Sequence, residues 1–177
     1  MKSDNTVKRV SLETAWGWVN VSFTQEGIYS VSLPTPLFPS LDSFLLPLDK
    51  LPSEEMGRDA LALELIRLYF QGELVSFDAL KLDFSGYSDF ARTVFSQLRK
   101  VPLGETISYQ ELAHLVGRER SYRAVGKALG SNRLLIIVPC HRVVKSDGSL
   151  GGFREGVEWK RKLLFWESLI KGAHNVR

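Results

Sequence analysis

The sequence has few of the residues from which secreted or metal-built proteins are made. It holds one cysteine in 177 residues, which excludes an internal disulfide and any fold that depends on an oxidising compartment. With that cysteine and only three histidines, His114, His141 and His174, no spacing resembles a zinc site, and neither a metal nor a cofactor is expected. No apolar run approaches the roughly 20 residues that cross a bilayer, and residues 1–10 are polar and charged, unlike a signal peptide. The expected location is the cytoplasm, or the nucleus in a nucleated cell, with no membrane partner. An excess of one charge is also missing. A net charge of +3 permits an anionic partner without requiring one, so the placement of the cations carries more information than their total.

The residues that are present suit one large or two small domains, with an apolar fraction of 44% that can build a proper core. Residues 7–33 alternate apolar and polar positions, the period of half-buried strands, with Glu26-Gly27 as a hairpin turn. Residues 33–52 hold five of the seven prolines and read as a surface loop. Residues 56–71 place Leu61, Leu65 and Leu68 with Ala62, Ile66 and Tyr69 at helical spacing, and Gly72 ends that helix. An extended connector over 74–84 completes a first α/β domain, residues 1–85.

The remainder, residues 86–177, reads as mostly helical. Ser88 caps a helix whose inner face is Phe90, Ala91, Val94, Phe95 and Leu98. Ser108 and Glu111 form a capping box opening a short helix that Gly117 closes, and a second short helix runs from Tyr122 to a stop at Gly130. Two short helices across a polar turn suggest a helix-turn-helix. Arg123 and Lys127, four apart, share one side of the second helix, joined by Arg118 and Arg120 from the turn and Arg133 just beyond. Ala124, Gly126 and Ala128 are small, so this helix can approach a phosphate backbone closely. A last helix over 157–170 is apolar through Trp159, Leu163, Trp166 and Ile170, with Glu158 and Lys162 as an exposed pair.

Between these helices, residues 134–144 read Leu-Leu-Ile-Ile-Val-Pro-Cys-His-Arg-Val-Val. A branched apolar run of this kind is expected to form a short buried strand or extended segment that Pro139 stops, leaving Cys140 and His141 where a rigid element ends. A thiol of ordinary pKa, about 8.5, is only a few per cent thiolate at neutral pH, so a nucleophilic Cys140 needs a neighbour to take its proton. His141 is the candidate, either across a local turn or through a bridging water. Glu167, on the last helix, is a candidate acceptor to orient the imidazole.

Pro139-Cys140-His141-Arg142-Val143 resembles the active-site motif of the methylated-DNA-protein-cysteine methyltransferases, which remove alkyl groups from O6 of guanine in DNA. The likeness extends from Phe90 to Glu167 with spacing kept, through Gly104-Glu105-Thr106-Ile107-Ser108-Tyr109, Arg123-Ala124-Val125-Gly126 and Asn132. It implies a small N-terminal sheet-plus-helix (RNase H-like) domain followed by a mostly helical, winged helix-turn-helix-like catalytic domain. It also implies a partner, double-stranded DNA containing O6-alkylguanine, bound in the minor groove with little sequence specificity by a protein expected to be a monomer. By the same resemblance Cys140 is the nucleophile, and His141 acts through a water with Glu167 orienting it. Tyr109 assists protonation of the leaving guanine, Arg123 fills the gap left by the flipped base, and Asn132 is the hinge. Val143, Phe153 and Arg154 line the base pocket, and transfer to sulfur is irreversible, so each molecule acts once.

Three positions depart from the family pattern. Arg133 stands where proline is usual, adding a cation within reach of phosphate. Phe153 stands for tyrosine, and Arg154 for a small residue. Two other readings compete. One is a non-catalytic protein of the same fold that binds alkylated DNA. The other is a sequence-specific helix-turn-helix regulator with an inert buried cysteine.

Overall fold

The structure, a computed structural model, describes residues 7–36, 44–47, 49–50, 57 and 59–174. Two compact units make up the chain. One contains the residues up to Phe84 together with Arg133–Leu135, and the other contains Ser85–Asn132 and Ile136–Arg177. The contiguous division at residue 85 expected from sequence therefore differs at Ser85, which belongs to the second unit, and at residues 133–135, which return to the first unit through backbone bonds to a strand there.

In the first unit the alternating stretch forms β1 (Lys8–Thr14), β2 (Gly17–Thr24) and β3 (Gly27–Val31), an antiparallel meander. Val10, Leu12, Val19 and Val21 are all fully buried, as period-two patterning requires. Gly17 opens β2 at φ +116°, where a Cβ would lie 2.7 Å from the Thr35 carbonyl oxygen, so the position needs glycine. The second hairpin turns at Gln25-Glu26, because Gly27 already pairs with Thr24. The proline-rich stretch is not all loop. It contributes β4 (Phe44–Leu46), parallel to β1, giving the order β3-β2-β1-β4. Three residues between prolines are too short a run to show a period.

The helix expected over 56–71 is α1 (Asp59–Gln71), and Met56 lies outside the described residues. Its inner face is Ala62, Leu63, Ile66, Arg67, Tyr69 and Phe70, rotated from the expected leucine set, with Leu61 half exposed. The aromatic pair Tyr69–Phe70, edge to face at 5.1 Å, has the most apolar area to bury and sets which side faces in. The segment 133–135 joins this unit through Val31 N–H donating to the Arg133 carbonyl at 2.8 Å. The Arg133 side chain donates to the carbonyls of Tyr29 (2.7 Å) and Asp83 (3.0 Å) and lies 3.9 Å over the Tyr29 ring. It is thus committed to the unit's own backbone and is not a free cation offered to phosphate.

In the second unit, α2 (Asp89–Leu98) starts at Ser88, whose hydroxyl accepts from Ala91 N–H, and buries Ala91, Val94, Phe95 and Leu98. The capping box is present in full: Ser108 N–H donates to Glu111 (2.8 Å) while the Ser108 hydroxyl accepts from Glu111 N–H (3.0 Å). It sets α3 (Tyr109–Leu115) immediately after β5 (Ile107–Ser108), and α4 (Tyr122–Gly130) follows across the polar turn. β6 (Val143–Val144) runs parallel to β5, a two-stranded wing beside the helix pair. The last helix, α5 (Val157–His174), faces inward through Lys160, Leu163, Glu167 and Ile170, one step round from the apolar stripe expected. Glu158 pairs with Arg161, not Lys162, whose ammonium lies 4.8 Å over Trp159. Among the described residues, no helix is long and apolar enough to cross a membrane.

Candidate active site

The apolar run before Cys140 is not a strand. After one bridge at Leu134 it turns, with Ile136 at φ +72°, a left-handed conformation that a β-branched residue rarely adopts. Burial overrides local preference here, since each residue of 134–138 is no more than 3% exposed. The turn delivers Cys140–Arg142 as one turn of 3-10 helix. The local turn that a Cys140–His141 relay calls for is therefore present.

Cys140 is a free thiol, 7% exposed. The Asn132 side-chain amide uses one hydrogen on the Val138 carbonyl (2.9 Å) and the other on the Cys140 sulfur (3.1 Å). Asn132 is 1% exposed and lies just after α4, so it ties that helix to the thiol directly. Burial pushes the thiol pKa up. The Asn132 hydrogen bond, a backbone hydrogen bond and the charges of Lys160 and Arg154 pull against it without reversing it. The resting group is a protonated thiol surrounded by features that favour its anion.

His141 is buried and its Nε2 lies 2.7 Å from Glu167 Oε1. Glu167 also accepts from Arg142, Nε to Oε2 at 2.8 Å and Nη2 to Oε1 at 2.9 Å, while Arg142 Nη1 donates to the Val101 carbonyl at 2.5 Å. Burial alone would push the Glu167 carboxyl up, but His141 and Arg142 together hold it well below the usual carboxylate range. A carboxylate at this position makes Nε2 the protonated nitrogen. Nδ1 then carries a lone pair, and it is buried with no hydrogen-bond partner.

Lys160, which is not among the site residues expected from sequence, adds a buried cation to this cluster. It is fully buried, and its ammonium donates to the Val143 carbonyl (2.5 Å) and the Gly152 carbonyl (3.3 Å), 5.7 Å from the Tyr109 ring centroid. Burial pushes its pKa down to about 8, against the opposing pull of the Cys140 anion. Its signal was its spacing: Lys160, Leu163, Glu167 and Ile170 step by three and four along one helical face. Arg142 was also passed over, although it stands in the motif.

Tyr109 donates its hydroxyl to the Gly152 carbonyl at 3.3 Å, and its pKa is raised by burial and then by the Cys140 charge. A Cβ on Gly151, at φ +68°, would lie 3.0 Å from the Tyr109 ring, and one on Gly126 would lie 3.9 Å from it. A side chain at 126 would therefore meet Tyr109 only at ordinary contact distance, and the glycine's effect is to thin the helix. Val143 is fully buried in β6, and Phe153 is half-buried in the loop after it. Arg154 is exposed and paired with Glu155.

The structure gathers Cys140, His141, Glu167, Asn132, Tyr109, Val143 and the 151–154 loop around one thiol. Arg118, Arg120, Arg123, Ala124 and Lys127 are instead exposed on the α3–α4 surface. Ala128, expected with the small exposed residues, is on the buried face of α4.

Residues 89–169 match the family model for the 6-O-methylguanine DNA methyltransferase DNA binding domain. The methylated-DNA-protein-cysteine methyltransferase of Methanosarcina barkeri is 43% identical over 119 residues, covering 67% of this chain and 73% of that protein. The bifunctional transcriptional activator/DNA repair enzyme Ada of Escherichia coli is 49% identical over 85 residues, 48% of this chain but 24% of its own length. Among solved structures, Mycobacterium tuberculosis O6-methylguanine methyltransferase superposes with a TM-score of 0.71 at 31% identity, covering 92% of this chain and 93% of that one. A structure of the tuberculosis protein in complex with DNA gives 0.69 at 32% identity, covering 93% of each chain.

Proposed function

Because this chain belongs to the methylated-DNA-protein-cysteine methyltransferase family, we propose that it repairs duplex DNA by moving the alkyl group of O6-alkylguanine onto the sulfur of its own Cys140. The observation that carries this reading is the buried chain Arg142–Glu167–His141, which ends in an unpartnered Nδ1 on the residue that follows Cys140, whose thiol Asn132 already holds.

A base stacked in a duplex cannot reach a buried thiol, so the target nucleotide must leave the helix. Arg123 on exposed α4 occupies the gap, while Arg118, Arg120 and Lys127 contact phosphates, and Ala124 lets α4 approach the minor groove. Such contacts carry little base information, so binding is nearly sequence-independent and falls as salt rises. Val143, Phe153 and Arg154 line the pocket that receives the base. A single chain supplies every group needed, consistent with action as a monomer.

His141 Nδ1 takes the Cys140 proton through a water, and the imidazolium so formed is stabilised by Glu167. Asn132, Lys160 and Arg154 favour the thiolate that remains. The sulfur attacks the alkyl carbon, a C–S bond forms, the C–O6 bond breaks, and its electron pair passes to guanine. Guanine takes up one proton from the Tyr109 hydroxyl, which is replenished from solvent; its raised pKa keeps it protonated until that moment. The product is a thioether, whose sulfur has no proton to lose and whose carbon has no good leaving group. Each molecule therefore acts once.

Intact mass with peptide mapping, after mixing with a duplex carrying O6-methylguanine, tests this directly. The expected result is a gain of one methyl on the Cys140 peptide, never more than one per molecule and absent in Cys140→Ser. Tight binding of the damaged duplex with no mass gained would replace this reading with lesion recognition alone.

A further inference from the structure

Arg154 adds to the site a second positive charge beyond Lys160, more than the transfer of a neutral methyl group requires. It follows Phe153 in a loop that is fixed against the reacting groups. The Gly152 carbonyl accepts from both the Tyr109 hydroxyl and the Lys160 ammonium, and Gly151, at φ +68°, lies so close that an added Cβ would be 3.0 Å from the Tyr109 ring. Lys160 in turn holds the Val143 carbonyl, three residues from Cys140. Arg154, exposed two residues beyond Gly152, is carried on this anchored loop, and its charge is felt at the Cys140 sulfur.

Its present partner is weak. Arg154 Nη2 and Nε both lie 2.8 Å from Glu155 Oε1, but the two side chains are 47% and 35% exposed and adjacent in sequence. An exposed pair of neighbours exchanges readily for a better-placed anion. Both Arg154 donors converge on a single oxygen, so the planar fork that could grip two carboxylate oxygens is not filled by Glu155.

Resting on the alkyl-transfer reading, we propose that Arg154 makes this site selective for O6 substituents that carry a carboxylate, of which O6-carboxymethyl is the simplest. In that adduct the carboxylate is bonded to the carbon that sulfur attacks. It meets the approaching thiolate as a like charge, and a cation on the adjoining loop offsets that repulsion. The balance is that of methyl transfer: the C–S bond forms, the C–O6 bond breaks with its pair going to guanine, guanine gains one proton, and Cys140 becomes S-carboxymethylcysteine. A small residue at 154 would accept the same adduct without offsetting its charge.

The test compares single-turnover rates on three duplexes: O6-carboxymethylguanine, its uncharged carbamoylmethyl isostere, and O6-methylguanine. The deciding quantity is the carboxymethyl-to-carbamoylmethyl rate ratio within each protein, so any general effect on folding or on the Cys140 pKa cancels. We expect Arg154→Ala to lower that ratio roughly tenfold, as loss of one charge-assisted contact does, Arg154→Lys to lower it less, and Glu155→Gln to raise it. A ratio unchanged in Arg154→Ala, with methyl transfer intact in the wild type, overturns this proposal alone. Failure of the wild-type protein to take methyl from O6-methylguanine overturns the underlying reading instead.

Discussion

The two units bury different chemistry. The first is built on neutral contacts: Val10, Leu12, Val19 and Val21 of the sheet, with Leu63, Ile66, Tyr69 and Phe70 of α1, are all fully buried. Its buried Arg67 is answered by the backbone carbonyls of Pro47 and Lys50. The second unit takes His141, Lys160 and Glu167 completely out of solvent and leaves Arg142 only 6% exposed, all within one C-terminal segment. Charges buried together are weak evidence for stability, because desolvation offsets much of their attraction, and apolar residues of the same shape would often hold the fold as well. The second unit therefore concentrates in one cluster a cost that the first meets only at the separate Arg67 and Asp83, and the result is a carboxylate, an imidazole and an ammonium fixed around a thiol. The first unit should respond to mutation as a core, and the second as a reactive site.

The sharpest way to break that contrast is Glu167→Gln. It leaves Arg142 buried without its counter-charge and His141 without an ionised acceptor, and should destabilise the protein by about 3 kcal/mol while slowing methyl transfer at least tenfold. Urea unfolding beside single-turnover kinetics checks both. The pH dependence fixes the cause. The folded Glu167 carboxyl lies below its unfolded value, near 4.3, so its contribution is fully present above that value and disappears as pH falls from about 5. The gap between wild type and Glu167→Gln should accordingly begin to narrow as pH falls through about 4.3 and keep narrowing towards the depressed folded value, and a constant gap would argue for lost packing instead.

In the first unit, Leu63→Ala should cost about 3 kcal/mol by leaving a cavity under the sheet. The transfer rate, measured well below the unfolding midpoint, should stay within about twofold and keep its pH profile. A changed pH profile would mean that this unit tunes the site.

The smallest effects separate two arginines that look alike in sequence. Arg133→Ala should cost roughly 1–2 kcal/mol, from two lost hydrogen bonds and a ring contact, with no change in the salt dependence of DNA binding. Arg123→Ala should change stability by no more than about 0.5 kcal/mol yet reduce the salt slope by about one charge. Binding titrations over a range of salt, beside thermal melts, distinguish them. The opposite pattern would exchange their roles.

The legibility of each element tracks how local its cause is. The capping box at Ser108 and Glu111 was readable because both partners lie within one turn. The β1–β3 meander was readable because period two survives any tertiary context. The face of α1 was misread because its leucines nearly ring the helix, and only the packing of Tyr69 and Phe70 chose a side. The 134–138 run was misread as extended because its composition favours strands, whereas the structure bends it through Ile136. Glu167 entered as a candidate on chemical type alone. Lys160 went unread because a single lysine on an otherwise apolar helix face looks like a surface residue that snorkels to solvent.

What the sequence determined by itself is the chemistry available: one thiol, an imidazole and a guanidinium directly after it, two short helices with exposed cations ahead of it, and a final helix bearing a glutamate and a lysine seven residues apart. Tertiary structure decided which of these meet. Arg133 and Arg123 are the same residue ten positions apart, yet one binds backbone carbonyls beside a sheet and the other faces solvent. The reason is that hydrogen-bond partners distant in sequence, such as Tyr29 and Asp83 for Arg133 or His141 and Arg142 for Glu167, leave no local pattern. Their geometry exists only once burial has removed water as the competing partner.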